Sequence, residues 1–369
     1  MSDIPIRSAG DNPTLLWGMT SAERLRRIGR AQAGPIGQAV PAGGAIVANA
    51  DYVFDPAWLR SILRTPATVL TRDGRPALAF ATDARQADAV AAAMTGSGRI
   101  PPDMTIVAQE TADALVNDEL RKRERPFMAR LTPEAVPALE RASYAGAYKG
   151  VTDLLTKYLW PEWALVLTRL CARAGISPNQ VTIAGILLCI AATFLFAHGH
   201  YWAGMALGLI FMVLDTVDGK LARCTITSSR LGDVLDHGVD LVHPPFWWYF
   251  WGVGLYAYGR PLADDVFLSS MAAIVGGYVV QRLIEGAFIA RYRMHIHVWR
   301  PFDSRFRLVT ARRNPNMVIL FASVAIGRPD WGLVAVAGWT ILSLAVHCVQ
   351  LLQAAAISAR GGTIRSWLG

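Results

Sequence analysis

The sequence has few charged residues, few cysteines and no hydrophobic segment near its start. Only 17% of its 369 residues are charged, whereas 53% are hydrophobic, which is too apolar for a chain made only of soluble domains. The four cysteines are scattered and lack metal-ligand spacing, which argues against both a zinc site and a disulfide framework. The first 30 residues contain no apolar run, so we expect no signal peptide and a cytosolic N-terminus.

Motifs for nucleic-acid binding and for covalent catalysis are also missing. The formal charge of +8 and the isoelectric point near 9.6 come with basic residues that collect beside apolar runs. Anionic lipids and phosphate substrates explain this placement better than a nucleic acid does. No Ser-His or Cys-His constellation stands out, so we expect no covalent intermediate.

Long apolar runs predict an α-helical polytopic membrane protein with six transmembrane helices and a small cytosolic α/β domain at the N-terminus. The fifth run is short for a hydrocarbon core of about 30 Å. The predicted spans are 179–198, 203–223, 230–258, 265–292, 313–327 and 331–356.

The distribution of arginine predicts the orientation in the membrane. The segment 291–313 contains seven arginines, whereas the loops on the opposite side contribute only Arg260 and Arg328. By the positive-inside rule, this segment, both termini and the Arg223 end of the second span face the cytosol. We therefore expect a multi-pass protein of the cell inner (cytoplasmic) membrane with a cytosolic active site.

Four aspartates lie within the second and third spans, where acidic side chains are costly and usually functional. Their spacing places them on two helical stripes walled by small residues. Four such anions repel one another. Divalent cations that prefer oxygen ligands relieve this repulsion, and Mg²⁺ is the usual ion where phosphates share the site. The fixed positions of this pattern are Asp215, Asp218, Gly219, Ala222, Arg223, Gly232, Asp236 and Asp240.

This pattern, D-x2-D-G-x2-A-R-x8-G-x3-D-x3-D, resembles the signature of the CDP-alcohol phosphotransferase family. The resemblance covers about residues 149–356. It implies two Mg²⁺ or Mn²⁺ ions, with Asp215, Asp218 and Asp236 as ligands. It also implies that Asp240 ligates the second ion and accepts the proton of the attacking hydroxyl. A homodimer is implied by the family alone.

The start of the first span is similar to the family's P-N-x-x-T, and the signature's small residues and arginine are expected to border the nucleotide. The resemblance thus implies a CDP-alcohol site formed by Asn179, Thr182, Asp218, Gly219, Ala222, Arg223 and Gly232.

The expected reaction transfers a substituted phosphate from a CDP-alcohol to an acceptor alcohol, with release of CMP, in phospholipid synthesis. CDP-diacylglycerol is the expected donor, and inositol phosphate or glycerol phosphate the expected acceptor. One alternative is a CDP-inositol:inositol-phosphate transferase that makes a soluble phosphodiester. A non-enzymatic alternative is a membrane metal transporter or scaffold, but transport predicts acids spread along a path rather than clustered near one face.

Three arginines are candidates to bind an anionic acceptor. Arg282 lies inside the fourth span, where an unpaired cation is costly, and Arg312 and Arg313 open the fifth span. Two alternatives remain open: Glu285, one turn from Arg282, is a candidate permanent partner, and Arg312 and Arg313 also suit positive-inside anchoring.

Four regions are predicted along the chain: a flexible arm at 1–44, an α/β domain at 45–148, an amphipathic interfacial helix at 149–174 and the membrane domain at 175–369. The segment 49–56 weakly resembles the sugar-phosphate nucleotidyltransferase fold, but the glycine-rich loop L-A-A-G-x-G-x-R is missing, so we expect an inactive remnant. Strands are predicted at 45–50, 67–71 and 77–81, and helices at 84–94, 112–120 and 133–144.

Overall fold

A computed structural model describes residues 6–369, apart from the side chains of Arg230, Leu231, Asp233, Asp236 and His237. This part of the chain is mostly helical, with an α/β region at its N-terminal end. The strands are β1 (Ile6–Ala9), β2 (Ala45–Asn49), β3 (Tyr52–Phe54), β4 (Thr68–Arg72), β5 (Arg75–Ala81), β6 (Thr105–Ala108), β7 (Leu115–Asn117), β8 (Lys122–Glu124) and β9 (Met128–Arg130).

Helices fill most of the C-terminal half. The α-helices are α1 (Ser21–Ala31), α2 (Ala33–Ala39), α3 (Pro56–Ile62), α4 (Ala84–Met94), α5 (Val136–Gly146), α6 (Leu154–Tyr158), α7 (Pro161–Arg173), α8 (Pro178–Ala197), α9 (Tyr201–Thr225), α10 (Arg230–Tyr258), α11 (Asp264–Met271), α12 (Gly277–Tyr292), α13 (Pro301–Phe306), α14 (Arg313–Ala325) and α15 (Pro329–Ala359). A π-helical stretch, Ala272–Gly276, joins α11 and α12 into one continuous helix.

The N-terminal region is built on a five-stranded sheet in the order β1-β2-β5-β4-β6. β4 and β5 form an antiparallel hairpin, and its turn residues Asp73 and Gly74 both have positive φ, which suits the Asp-Gly turns that match strand twist. β2 pairs antiparallel with β5, and α4 packs against both strands. The strands predicted at 45–50, 67–71 and 77–81 and the helix at 84–94 are therefore confirmed.

Two predictions for this region are wrong. The arm at 1–44 was expected to be flexible, but β1 is an edge strand parallel to β2, and Trp17 is buried with its Nε1 donating to Ser143 Oγ at 2.8 Å. Burial of large apolar side chains orders this segment. The segment 112–120 was expected to be helical, but it holds β7. Asn117 accepts a hydrogen bond from Leu120 N at 3.0 Å, which forms a turn rather than a helix.

The predicted interfacial helix is divided at Pro161, the first residue of α7, as expected from proline's missing N–H. Trp160 and Leu165 are buried, whereas Trp163 and Leu170 are more than half exposed. The buried face of α7 packs on α9, and Trp163 and Leu170 lie on the face that this packing leaves uncovered.

Six helical segments coincide with the predicted spans to within a few residues: α8, α9, α10, the continuous α11–α12, α14 and α15. By length and composition, three helices of the described chain suffice to cross a membrane: Pro178–Ala197, Asp264–Tyr292 and Pro329–Ala359. α14 has only 13 residues, in keeping with the short fifth run of the sequence.

The N-terminal region docks on the end of α9 rather than forming an isolated unit. Arg24 Nη1 donates to the carbonyl oxygen of Cys224 at 3.2 Å, and Arg27 Nη1 donates to that of Thr225 at 2.9 Å. These donors satisfy carbonyls that a helix end leaves without intrahelical partners. The contacts fix the α/β region beside the helix that carries the first two signature aspartates.

Candidate active site

Three signature aspartates come together where α9 and α10 approach α14. Asp218 is buried, and its Oδ2 accepts a 2.6 Å hydrogen bond from Thr182 Oγ1 on α8. Asp215 and Asp240 are joined through Arg313, whose Nη2 and Nη1 donate to them at 2.6 and 2.8 Å. The side chain of Asp236, the fourth predicted ligand, lies outside the described residues.

Arg313 is held firmly in this position. Its Nε donates to Asn314 Oδ1 at 3.0 Å, and its guanidinium lies 4.9 Å from the centre of the Phe211 ring. Asn314 in turn donates to Asp153 Oδ1 at 3.1 Å. Arg313, which was predicted to bind the acceptor, therefore lies between the carboxylates of Asp215 and Asp240.

The chemistry of this group suits a divalent metal. Asp215 and Asp240 lie close enough to share one guanidinium, and two carboxylates at such a distance require positive charge between them. The candidate metal ligands of the signature are all aspartate carboxylate oxygens. Mg²⁺ and Mn²⁺ prefer such oxygen ligands. The residues present therefore fit the predicted metal.

Gly232 and Asn179, both predicted to border the CDP-alcohol, lie in contact. A Cβ atom at Gly232 would lie 2.9 Å from Asn179 Oδ1 and 3.1 Å from Ser229 Oγ. Ser229 caps α10 by accepting from Gly232 N at 3.1 Å, as N-cap serines do. The absence of a side chain at Gly232 therefore lets the start of α10 approach the start of α8.

Arg223 lies over Gly219 at the C-terminal end of α9. A Cβ atom at Gly219 would be 3.1 Å from Arg223 Nη2, while Arg223 Nε donates to the carbonyl oxygen of Ala147 at 3.1 Å. The neighbouring Ala222 is half-buried. Small residues thus leave the guanidinium room on this face of α9.

Two prolines follow Asp240 on α10, at positions 244 and 245. Pro245 has no N–H for the carbonyl oxygen of Leu241, four residues earlier. Tyr278 Oη donates to that oxygen at 2.9 Å instead. A neighbouring helix thereby replaces the lost bond, and α12 is tied to α10 one residue beyond Asp240.

Arg282 and Arg312 both pair with Glu285. The distances from Glu285 to Arg282 Nη1 and to Arg312 Nη2 are 3.1 and 2.5 Å, so the alternative partner expected for Arg282 is present. His297 and His347 also approach Glu285, and these three groups have the spacing of metal ligands. Two adjacent guanidiniums repel a cation, however, so we do not assign a metal there.

The link between Asp153 and Asn314 was missed by sequence reasoning. Asp153 caps α6, accepts from Thr156 and is bonded to Asn314, which lies 161 residues further along the chain. The cap pattern was readable in the sequence, but no local signal points to so distant a partner. This link fixes the start of α14, and with it Arg313, beside the signature aspartates.

The polar residues quoted for the nucleotidyltransferase resemblance have structural roles. Asn49 Nδ2 donates to the carbonyl oxygens of Pro76 and Met94, and Asp55 caps α3. Both residues are therefore explained by the folding of the sheet region alone, and the kinship remains a prediction.

Comparison with known proteins agrees with this geometry. The family described as CDP-alcohol phosphatidyltransferase matches residues 175–347. A cholinephosphotransferase 1 of Gallus gallus is 37% identical over 129 residues, covering 32% of this chain and 37% of the relative. A phosphatidylinositol phosphate synthase of Mycobacteroides abscessus is 35% identical over 112 residues, covering 28% of this chain and 50% of the relative.

A phosphatidylinositol phosphate synthase of Mycobacterium bovis is 30% identical over 128 residues, covering 32% of this chain and 59% of the relative. The chain thus spans from about a third to three fifths of the length of these relatives. The matched region contains the complete aspartate signature, Thr182, Gly232 and the arginines of α12 and α14. Residues 175–347 therefore match the CDP-alcohol phosphatidyltransferase family as a domain within this chain.

Proposed function

We propose that this protein is a metal-dependent CDP-alcohol phosphotransferase that transfers a substituted phosphate to an acceptor alcohol and releases CMP. The observation that carries the proposal is the junction of Asp215, Asp218 and Asp240 with Thr182 and Arg313. It lies within the matched family region, on helices whose small residues leave room for a diphosphate.

The four aspartates, Asp215, Asp218, Asp236 and Asp240, are the groups that would hold two Mg²⁺ or Mn²⁺ ions. Such ions stabilise the attacking and leaving oxygens of an in-line phosphoryl transfer. Thr182 fixes the Asp218 carboxylate by its 2.6 Å hydrogen bond. Arg223, with Gly219 and Ala222, binds the diphosphate of the donor, and Asn179 and Gly232 border its nucleotide.

Asp240 accepts the proton of the acceptor hydroxyl. Its side chain is 48% exposed, compared with 17% for Asp215, so an incoming hydroxyl reaches it more readily. General-base catalysis requires such access within hydrogen-bond distance. Arg313 holds Asp240 and Asp215 together through hydrogen bonds of 2.8 and 2.6 Å.

CDP-diacylglycerol is the proposed donor and a phosphorylated alcohol the proposed acceptor. The names of two relatives, which record phosphatidylinositol phosphate synthesis, support this choice. Arg282 and Arg312 face the acceptor, with Arg313 at the boundary to the carboxylates. In this proposal the six helical segments cross the cell inner membrane, the site faces the cytosol and the protein is a homodimer. The α/β region is a nucleotidyltransferase-like remnant without nucleotidyltransferase activity of its own.

The test is CMP release by the purified protein supplied with CDP-diacylglycerol, Mg²⁺ and a panel of free and phosphorylated alcohols, with lipid products identified by mass. CDP-inositol replaces CDP-diacylglycerol in a parallel series, which separates the phospholipid route from the soluble phosphodiester route. Absence of CMP release with every donor would favour the transporter or scaffold alternative.

A further inference from the structure

Four arginines converge where the α/β region meets the cytosolic ends of the membrane helices. Arg121 directly precedes β8, and Arg307 directly follows α13. Arg312 directly precedes α14, and Arg282 lies on α12. We call these four residues the arginine cluster. Arg282 and Arg312 share the Glu285 carboxylate. The neighbours of Arg121 and Arg307 contact one short segment, because Gly150 N donates to the carbonyl oxygen of Leu120 at 2.8 Å and Leu154 N to that of Leu308 at 2.9 Å.

The cluster has more buried donors than the described residues satisfy. Arg307 is only 7% exposed, and both its Nε and its Nη1 are buried without a hydrogen-bond partner among the described residues. Within the same part of the chain, Nε of Arg121, of Arg282 and of Arg312 is likewise unsatisfied. Leaving charged donors unpaired in the interior is costly, so this arrangement calls for an acceptor from outside the chain.

The charge balance gives the sign and size of that acceptor. Four guanidiniums face two carboxylates, Glu285 and Asp153, which leaves an excess of two positive charges. Burial, followed by repulsion from Arg312, lowers the pKa of Arg121 to about 10 and lowers the pKa of Arg307 as well. A phosphate monoester carries a charge of about −1.5 to −2 at pH 7, and guanidiniums bind it through paired hydrogen bonds.

Arg121 is positioned by its own backbone. It adopts a left-handed conformation with φ +51°, rare for a residue with a side chain. The neighbouring Leu120 is fixed on both sides: its N donates to Asn117 Oδ1 at 3.0 Å, and its carbonyl oxygen accepts from Gly150 N at 2.8 Å. The turn therefore holds Arg121 towards the membrane domain before any ligand binds.

We propose that the arginine cluster binds the phosphate monoester of the second substrate, and that the α/β region supplies Arg121 as a specificity-determining residue from outside the matched family region. Arg312 directly precedes Arg313, which contacts Asp215 and Asp240, so a phosphate held there lies beside the reacting centre. The proposal rests on the proposed function, and it gives the α/β region a role in acceptor selection.

The test compares Arg121→Ala with Arg123→Ala in the full-length protein. Arg123 is the matched control because it lies two residues away on β8 with an exposed side chain. Loss of a charge-assisted contact predicts a rise of about 10- to 100-fold in the KM of a phosphorylated acceptor for Arg121→Ala. The donor KM is expected to stay within about twofold, Arg123→Ala to match wild type, and Arg121→Lys to recover part of the loss.

A second measurement does not depend on activity. Inorganic phosphate is expected to raise the Tm of the wild-type protein and of Arg123→Ala in detergent, but not that of Arg121→Ala. Mixed micelles containing phosphatidylglycerol separate the sources of the phosphate. If the anionic lipid alone raises the Tm and abolishes the effect of inorganic phosphate, the site binds a lipid headgroup and the proposal is overturned.

The outcomes also separate this proposal from the proposed function. CMP release with an unchanged acceptor KM and an unchanged phosphate effect in Arg121→Ala would refute the role of the arginine cluster alone. No CMP release with any donor would refute the proposed function, whereas the Tm comparison would still decide whether the cluster binds phosphate.

Discussion

Replacement of Thr182 by valine tests how the signature aspartates are held. The Thr182 hydroxyl donates to Asp218 Oδ2 at 2.6 Å in a buried setting, and hydrogen bonds to charged groups contribute about 1.5–3 kcal/mol. Valine keeps the shape of threonine but removes this donor. At about 1.4 kcal/mol per tenfold change, we expect kcat/KM for CDP-alcohol to fall by about 10- to 150-fold.

The assay is the initial rate of CMP release at varied CDP-alcohol. Thr182→Ser keeps the hydroxyl and should retain most of the activity. Thr193→Val is the matched control, because Thr193 lies on the same helix and its hydroxyl donates only to the carbonyl oxygen of Cys189, at 2.8 Å. Equal activity of Thr182→Val and wild type, or equal losses in Thr182→Val and Thr193→Val, would refute the assigned role of this hydrogen bond.

Three further predictions concern the aspartates, Gly232 and Glu285. Asp240→Asn should abolish CMP release while calorimetric titration still detects CDP-alcohol binding, whereas Asp215→Asn should weaken that binding; equal binding losses would contradict the division of roles. Gly232→Ala should lower kcat/KM by about tenfold or more, because its Cβ would lie 2.9 Å from Asn179 Oδ1. Gly238→Ala is its control, since a Cβ atom there meets none of the described side chains within 4 Å. Glu285→Gln should destabilise the protein by about 3–5 kcal/mol, because it leaves the guanidiniums of Arg282 and Arg312 without their carboxylate. An unchanged Tm would show that these two ion pairs are not needed for stability.

Much of the helical organisation was readable from the sequence because it depends on local patterns. The apolar runs predicted the six helical segments, and α8 begins within one residue of the first predicted span, at a capping box formed by Ser177 and Gln180. The aspartate spacing predicted that Asp215 and Asp240 would meet across two helices, and both now contact one guanidinium. These predictions needed only helical periodicity and the cost of buried charge.

What the sequence did not reveal depends on contacts between distant segments. The order in residues 6–44 comes from pairing of β1 with β2 and burial of Trp17, neither of which leaves a local signal. Arg313 was predicted to bind the acceptor, but only the packed structure places it between Asp215 and Asp240. Arg121 lies more than 180 residues from Arg307 and Arg312, and folding alone brings them together.

The central claim is tested most directly by CMP release from CDP-diacylglycerol, measured with the purified full-length protein before and after removal of divalent metal. The account predicts CMP release with a phosphorylated alcohol as acceptor, loss of release on chelation, recovery on addition of Mg²⁺ or Mn²⁺, and no release by Asp240→Asn. CMP release that persists without metal, or that survives Asp240→Asn, would contradict it.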